Sequence, residues 1–152
     1  VPQSDLITAK VEIHDLVNTF AEIVNEMRPA DMKDVFVPDA EFVIKGWAEM
    51  HGIGEIVGFL TGVIGHWDVI LQTIASGRVT LDGDEATGSW FVTEYGRYRD
   101  GNETFLGGRY RDRYVKTSEG WRFTRREFRG LFRRAAPAGE AMQVWPFGQA
   151  RR

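Results

Sequence analysis

Cysteine is absent from the 152 residues of this chain. That absence removes disulfides, thiolate metal sites and cysteine nucleophiles together. It also suits a reducing compartment, so the expected location is the cytoplasm. Positive charge is not in excess either. Lys and Arg number 19 against 22 Asp and Glu, a net charge of −3, so neither nucleic acid nor an anionic membrane is an expected partner. No apolar run approaches the roughly 20 residues that cross a bilayer. The opening VPQSDLITAK has no basic region followed by an apolar one, so no signal peptide is expected. Histidine is scarce, three in all, and no spacing of His, Asp and Glu resembles a metal site of the HEXXH or EF-hand kind. No metal and no cofactor is expected. GGRYRD is glycine-containing, but it lies inside a strand pattern and is not a phosphate loop.

What is present is a globular balance, 43% hydrophobic and 27% charged, at a length that makes one domain with an adequate core. Ser4 is placed to cap a first helix. Ile13, Leu16, Val17, Phe20, Ile23, Val24 and Met27 step by three and four, which is one helical stripe. Pro29 follows, then a short second helix over Asp31 to Phe36 and a strand over Glu41 to Ile44. HGIGEIVGFLTGVIG predicts a third helix. Four β-rich segments come next: Trp67 to Leu81, Ala86 to Arg99, Glu103 to Lys116 and Trp121 to Phe132. LDGDE, RDGN and KTSEG join them as turns, so successive hairpins should make an antiparallel sheet. Helices first and strands afterwards is the order of an α+β domain. The domain is expected over 1–134, with 135–152 as a tail. Met142, Val144, Trp145 and Phe147 in that tail predict a docked segment, placed to act as a lid on a pocket.

Three stretches, IHDLVNTFAEIVNE, VFVPDAEFVIKG and GGRYRDRYVKTSEGWRFTRREF, resemble the SnoaL-like branch of the nuclear-transport-factor-2-like superfamily. The resemblance covers about Leu6 to Phe132. It implies a cone-shaped, cystatin-like fold in which a curved, mostly antiparallel sheet wraps around three N-terminal helices. It also implies a pocket between the concave face and the first helix. Scytalone dehydratase, ketosteroid isomerase and hexachlorocyclohexane dehydrochlorinase are relatives of this fold. The dehydratases and dehydrochlorinases use an Asp on the first helix with a His on the first long strand. The matching positions here are Asn25 and Gln72, and neither side chain takes a proton at neutral pH. Chemistry must therefore use other groups in the pocket, or the protein only binds.

Strand alternation indicates which groups those are. If Gln72 points inward, so do Ile70, Ile74, Ser76 and Arg78. The resemblance implies Trp90, Val92 and Glu94 inward on the next strand, Leu106, Gly108 and Tyr110 on the third, and Arg126, Phe128 and Gly130 on the last. Glu94 stands where relatives commonly carry an apolar residue, and an Arg like Arg126 recurs among them. A carboxylate in an apolar cone is either paired or raised in pKa. A Glu94 pair with Arg78 or Arg126 would be structural, whereas a Glu94 open to the cavity would be suited to proton transfer.

Two readings of function follow. In the first, the chain is a cofactor-free lyase for a hydrophobic phenolic substrate. Glu94 moves the proton, Arg78 and Arg126 stabilise a developing oxyanion, and Tyr110 holds a hydroxyl. Phe20, Asn25, Phe42, His51, Trp67, Gln72, Trp90, Val92 and Phe128 would bind the substrate. The sequence is similar to the sphingomonad diarylpropane lyases, which implies dehydration or deformylation of a lignin-derived diaryl compound through a quinone methide. In the second, the chain is a non-catalytic binding module, or an isomerase or polyketide cyclase on the same fold. His14 and His66 are expected to be structural. Ser89, Phe91, Thr93 and Tyr95 lie on the face opposite Glu94, and burying them predicts a homo-oligomer, a trimer or a dimer.

Overall fold

A computed structural model describes residues 2–139. The tail segment expected to cover a pocket, with Met142, Val144, Trp145 and Phe147, lies outside the described residues. Helix α1 runs over Gln3–Asn25 and buries Ile13, Leu16, Val17, Phe20, Ala21, Ile23 and Val24. The stripe read from the sequence is thus the buried face as far as Val24, whereas Met27, read as its last member, falls beyond the end of the helix. The start differs from expectation. No side chain caps α1; Ser4 sits inside the first turn and its hydroxyl donates to Asp5 Oδ1 at 3.3 Å. At the other end Met27 adopts φ 56°. There the N–H groups of Met27 and Arg28 donate back to the carbonyls of Val24 and Ile23, which closes the helix in the left-handed manner. A 3-10 helix follows at Pro29–Asp34.

Strand β1 is Phe36–Ile44, β2 is Ala48–His51 and helix α2 is Ile53–Ile64. The sheet then continues through β3 (Trp67–Asp82), β4 (Glu85–Tyr98), β5 (Glu103–Thr117) and β6 (Gly120–Ala136). β2 has no counterpart in the sequence reading. Its four residues are too short to show alternation, and Ala48, Glu49 and Met50 are better helix formers than strand formers. Pairing with β1, Met50 opposite Phe42, decides their state. Gly52, with φ 83°, then separates β2 from α2. The spatial order is β2-β1-β6-β5-β4-β3. Only the β1–β6 pair is parallel. The sheet is curved and unclosed, with the helices on its concave side, an α+β architecture. No helix among the described residues is long and apolar enough to cross a membrane.

Phe20 is the centre of the core. Its ring meets Phe36, Phe42, Tyr110 and Phe123 edge-on at centroid distances of 5.8–6.0 Å. Such contacts add about 0.5–1.5 kcal/mol each beyond the area they bury.

Two irregularities in the sheet determine which side chains reach the interior. On β3, Ile74 faces Val92 but Gly77 faces Trp90. Ala75 and Ser76 together oppose Phe91 alone, and this bulge reverses the alternation beyond it. On β6, Gly130 faces Gly108 but Phe132 faces Gly107, so Leu131 is the extra residue. The alternation reverses again, and Arg133 comes to stand opposite Leu106.

Candidate active site

A cavity of about 470 Å³ lies between the concave sheet face and the two α-helices. Small-molecule sites fall in the range of about 300–1,000 Å³. α1 contributes Phe20 and Val24, β1 contributes Phe42 and Ile44, and α2 contributes Phe59, Leu60, Val63 and Ile64. These follow from the apolar faces of the helices, which have more apolar surface than the sheet alone can cover. Trp47, His66 and Arg133 also line the cavity and are themselves exposed, so they mark its open side.

The polar groups come from the sheet. Gln72, Glu94, Leu106 and Arg133 form one row across four strands, each directly opposite the next. Gln72 Nε2 donates to Glu94 Oε2 at 2.9 Å and to Tyr110 Oη at 3.0 Å. Among the described residues no Lys, Arg or His forms an ion pair with Glu94. Burial raises the Glu94 carboxyl above its ordinary value, and only the Gln72 hydrogen bond opposes that rise. The Tyr110 hydroxyl is also pushed up, chiefly by burial. Three buried polar atoms of the cavity wall have no hydrogen-bond partner among the described residues: Trp67 Nε1, Gln72 Oε1 and Thr104 Oγ1. Among the described residues no group of three or more His, Asp and Glu side chains is placed to hold a metal ion.

Of the thirteen residues assigned catalytic or substrate-binding roles from the sequence, seven line this cavity: Phe20, Phe42, Trp67, Gln72, Glu94, Tyr110 and Phe128. The others do not. Arg78 is exposed on the convex face opposite Ser89, because the β3 bulge intervenes between it and Gln72. It lines a separate, wider depression of about 840 Å³ with Arg109, Arg111 and Arg113. Arg126 does point inward, but it is fully buried beneath the cavity floor. Its Nε and Nη2 donate to Asp112 Oδ1 and Oδ2 at 2.9 and 2.8 Å. The guanidinium lies 3.9 Å from the Tyr110 ring centroid, 4.3 Å from that of Phe20 and 4.4 Å from that of Phe123. Burial works against its charge, yet Asp112 prevails and the Arg126 pKa is raised. The group is a structural cation held in an aromatic cage. The signal for its partner was legible, since Asp112 shares the inward parity of Tyr110.

Asn25 turns away from the cavity. Its Nδ2 donates to the Gln72 carbonyl at 3.0 Å, and its Oδ1 accepts from the Gln72 N–H at 2.5 Å. β3 is an edge strand, and the amide supplies the partners that a neighbouring strand would otherwise provide. Trp90 and Val92 belong to the core. Trp90 Nε1 donates to Tyr114 Oη at 2.8 Å, and Tyr114 Oη donates to Asp112 Oδ2 at 2.7 Å. His51 is exposed on β2 and sits 3.7 Å from Glu41 Oε1. His66, expected to be structural, lies on the cavity rim. Arg133, Tyr98 and Thr104 were not singled out from the sequence. Simple alternation from Phe128 would place Phe132 inward instead of Arg133.

A family model for the SnoaL-like domain matches residues 5–127. The chain belongs to the SnoaL-like family. Several solved structures superpose closely on it. A candidate aromatic ring hydroxylase from Novosphingobium aromaticivorans has a TM-score of 0.79 and 27% identity, over 86% of this chain and 94% of that one. A type-3 hexachlorocyclohexane dehydrochlorinase from Novosphingobium barchaimii gives 0.84 and 17%, over 94% and 99%. A candidate scytalone dehydratase from N. aromaticivorans gives 0.82 and 19%, over 93% and 100%. This SnoaL-like chain thus shares its whole described fold with dehydrochlorinase and dehydratase structures, and it carries Asn25 and Gln72 as its own residues beside the cavity.

Proposed function

We propose that this SnoaL-like protein is a cofactor-independent lyase for a small hydrophobic phenolic compound, with Glu94 as the proton-transfer group. The observation that carries this reading is Glu94 itself. It is a half-buried carboxyl facing a mostly apolar cavity, without a cation among the described residues to neutralise it. A structural ion pair would have been sealed with an arginine, but Arg126 is taken by Asp112 and Arg78 is on the other face. A carboxyl with a raised pKa can start the reaction protonated and serve as a general acid.

The chemistry balances without an external electron carrier. For a para-phenol bearing a benzylic hydroxyl, Glu94 gives its proton to that hydroxyl and the C–O bond breaks, releasing water. The phenol passes its proton to bulk water, and the ring becomes a quinone methide. The Glu94 carboxylate then takes a proton back by one of two routes. Taken from a neighbouring carbon, it completes a dehydration. Taken from a neighbouring hydroxymethyl group, it breaks the C–C bond, releases formaldehyde and forms a diaryl alkene; by either route the electron pair returns to the ring as a phenolate, which takes a proton from water. Gln72 and Tyr110 orient the Glu94 carboxyl and a substrate hydroxyl. Lignin-derived diaryl compounds have this arrangement, and two aromatic rings suit a cavity of this size and lining.

The test is turnover of a phenolic diaryl diol, followed by alkene absorbance and released formaldehyde, in wild type and Glu94→Gln. The expected loss in the variant is on the order of 10²–10⁴-fold. Tight binding of the diol with no turnover by the wild type would instead identify a binding module.

A further inference from the structure

The cavity has a second polar end that the proton-transfer chemistry does not use. We infer that Trp67 Nε1, Thr104 Oγ1 and Arg133 together form a subsite for a negatively charged oxygen substituent, a phenolate or a carboxylate, on the aromatic ligand. This rests on the reading above only in that the cavity takes an aromatic compound; it does not require turnover.

Three separate strands bring these groups to one place. Gly96 and Thr104 are directly opposite each other on β4 and β5. A Cβ on Gly96 would overlap the six-membered ring of Trp67, so the indole rests on the bare backbone beside Thr104. Tyr98 stacks on that indole, with centroids 4.0 Å apart and planes 20° from parallel, and helps to hold its orientation. Arg133 stands opposite Leu106, two residues from Thr104. Such diagonal neighbours are about 7–8 Å apart, a span that an arginine side chain covers easily.

The donor inventory gives the ligand's chemistry. Trp67 Nε1 can only donate, and Arg133 has donors and no acceptor. Trp67 Nε1 and Thr104 Oγ1 are buried without a partner among the described residues, and unpartnered buried polar atoms in a folded protein call for an explanation. Among the described residues no carboxylate lies within ion-pairing distance of Arg133. A group that satisfies two neutral donors and a free guanidinium at once is an anionic oxygen. On the far side of Glu94 the unpartnered atom is an acceptor, Gln72 Oε1, which calls for a hydroxyl. The cavity therefore orients its ligand: anionic oxygen toward Arg133, hydroxyl toward Gln72 and Glu94. In the lyase reaction a phenolate held at the Arg133 end would supply the electrons that expel the benzylic hydroxyl.

The test is a binding titration of the full chain with 4-methylstilbene, 4-hydroxystilbene and stilbene-4-carboxylate. Wild type, Arg133→Gln, Thr104→Val and Glu94→Gln are compared. Wild type should bind the carboxylate at least about tenfold more tightly than the methyl compound, the range of a hydrogen bond to a charged group. It should also show the red-shifted absorbance of bound phenolate from 4-hydroxystilbene at neutral pH. Arg133→Gln should lose both effects yet bind 4-methylstilbene as wild type does, and Thr104→Val should lose part of each. Glu94→Gln should keep the preference. Equal affinity of wild type for the three probes, or a preference that survives Arg133→Gln, overturns the subsite. Turnover without the preference leaves the lyase reading standing and removes this one; preference without turnover does the reverse. Binding of none of the probes overturns both.

Discussion

Gly77 lies beneath Trp90, so closely that a Cβ on the glycine would overlap the indole ring. This contact fixes the β3 bulge. The indole needs a flat backbone opposite it, and the strand supplies Gly77 at that register by accommodating an extra residue just before it. Gly77→Ala should therefore destabilise the fold by about 1–3 kcal/mol, the usual cost of overpacking, measured by urea denaturation. Because the same bulge turns Arg78 outward, Arg78→Lys should leave turnover and ligand affinity unchanged. A large loss of turnover in that variant would restore Arg78 to the site.

Glu94 should leave a pH signature in stability as well as in rate. Its folded pKa is raised by burial, so the folded state holds a proton that the unfolded chain has already released. The sign follows from linkage: that contribution is present below the unfolded value of about 4.3 and is lost as pH rises through the folded pKa. Wild type should thus lose stability toward neutral pH relative to Glu94→Gln, which carries no such group. The difference should grow from acidic toward neutral pH, read as a widening melting-temperature gap between the two proteins. Turnover that needs the protonated acid should fall over the same pH interval. A constant gap between the two proteins from pH 5 to 8 would contradict the assignment.

Breaking the Arg126–Asp112 pair should be among the most damaging single changes available. Both side chains are fully buried, and Asp112→Asn leaves the guanidinium without a counter-charge beneath Phe20 and Tyr110. The expected cost is about 3–5 kcal/mol. Replacing both, Arg126→Met with Asp112→Leu, should recover much of it, because no charge is then left buried. Guanidinium denaturation of the three proteins makes the comparison. A double variant as unstable as the single one would argue that the aromatic cage, not charge pairing, is what Arg126 supplies.

The convex face should be covered by another copy of the chain. Leu71, Phe91, Phe105 and Phe132 are 44–53% exposed there, and Leu131 at the β6 bulge is 60% exposed. Phe105 and Phe132 pack together at 5.8 Å, and Arg109 lies over Phe91 at 5.5 Å. Tyr95, on the same face, is half-buried and donates its hydroxyl to Glu103 Oε2 at 2.8 Å. Light scattering at micromolar concentration should give the mass of a trimer or dimer. Phe105→Glu with Phe132→Glu should reduce it to a monomer. A monomeric wild type would mean that this apolar face stays in water.

The inward positions of Glu94 and Tyr110 were implied by the family resemblance, while local pattern was enough to place α1 and the four long strands. Hydrophobic period and turn chemistry act over a few residues, and placing those elements needs only that range. The helical stripe ending at Val24 and the alternation through Gln72 were legible for that reason. The absence of a protonatable pair at Asn25 and Gln72 followed from residue type once the family resemblance had matched those positions. The tertiary structure decided which cation belongs to the cavity. Alternation carries a side chain's direction forward only while the ladder is unbroken, and a single extra residue at Ser76 or Leu131 inverts everything after it. Neither bulge can be seen in its own strand, because each is fixed by a partner across the sheet: Trp90 over Gly77, and Gly107 opposite Phe132. Those two contacts send Arg78 out and bring Arg133 in. Pairing between distant residues likewise removed Arg126 to Asp112 and Asn25 to the β3 backbone. In each case the side chain's role was set by the unsatisfied group that folding placed next to it.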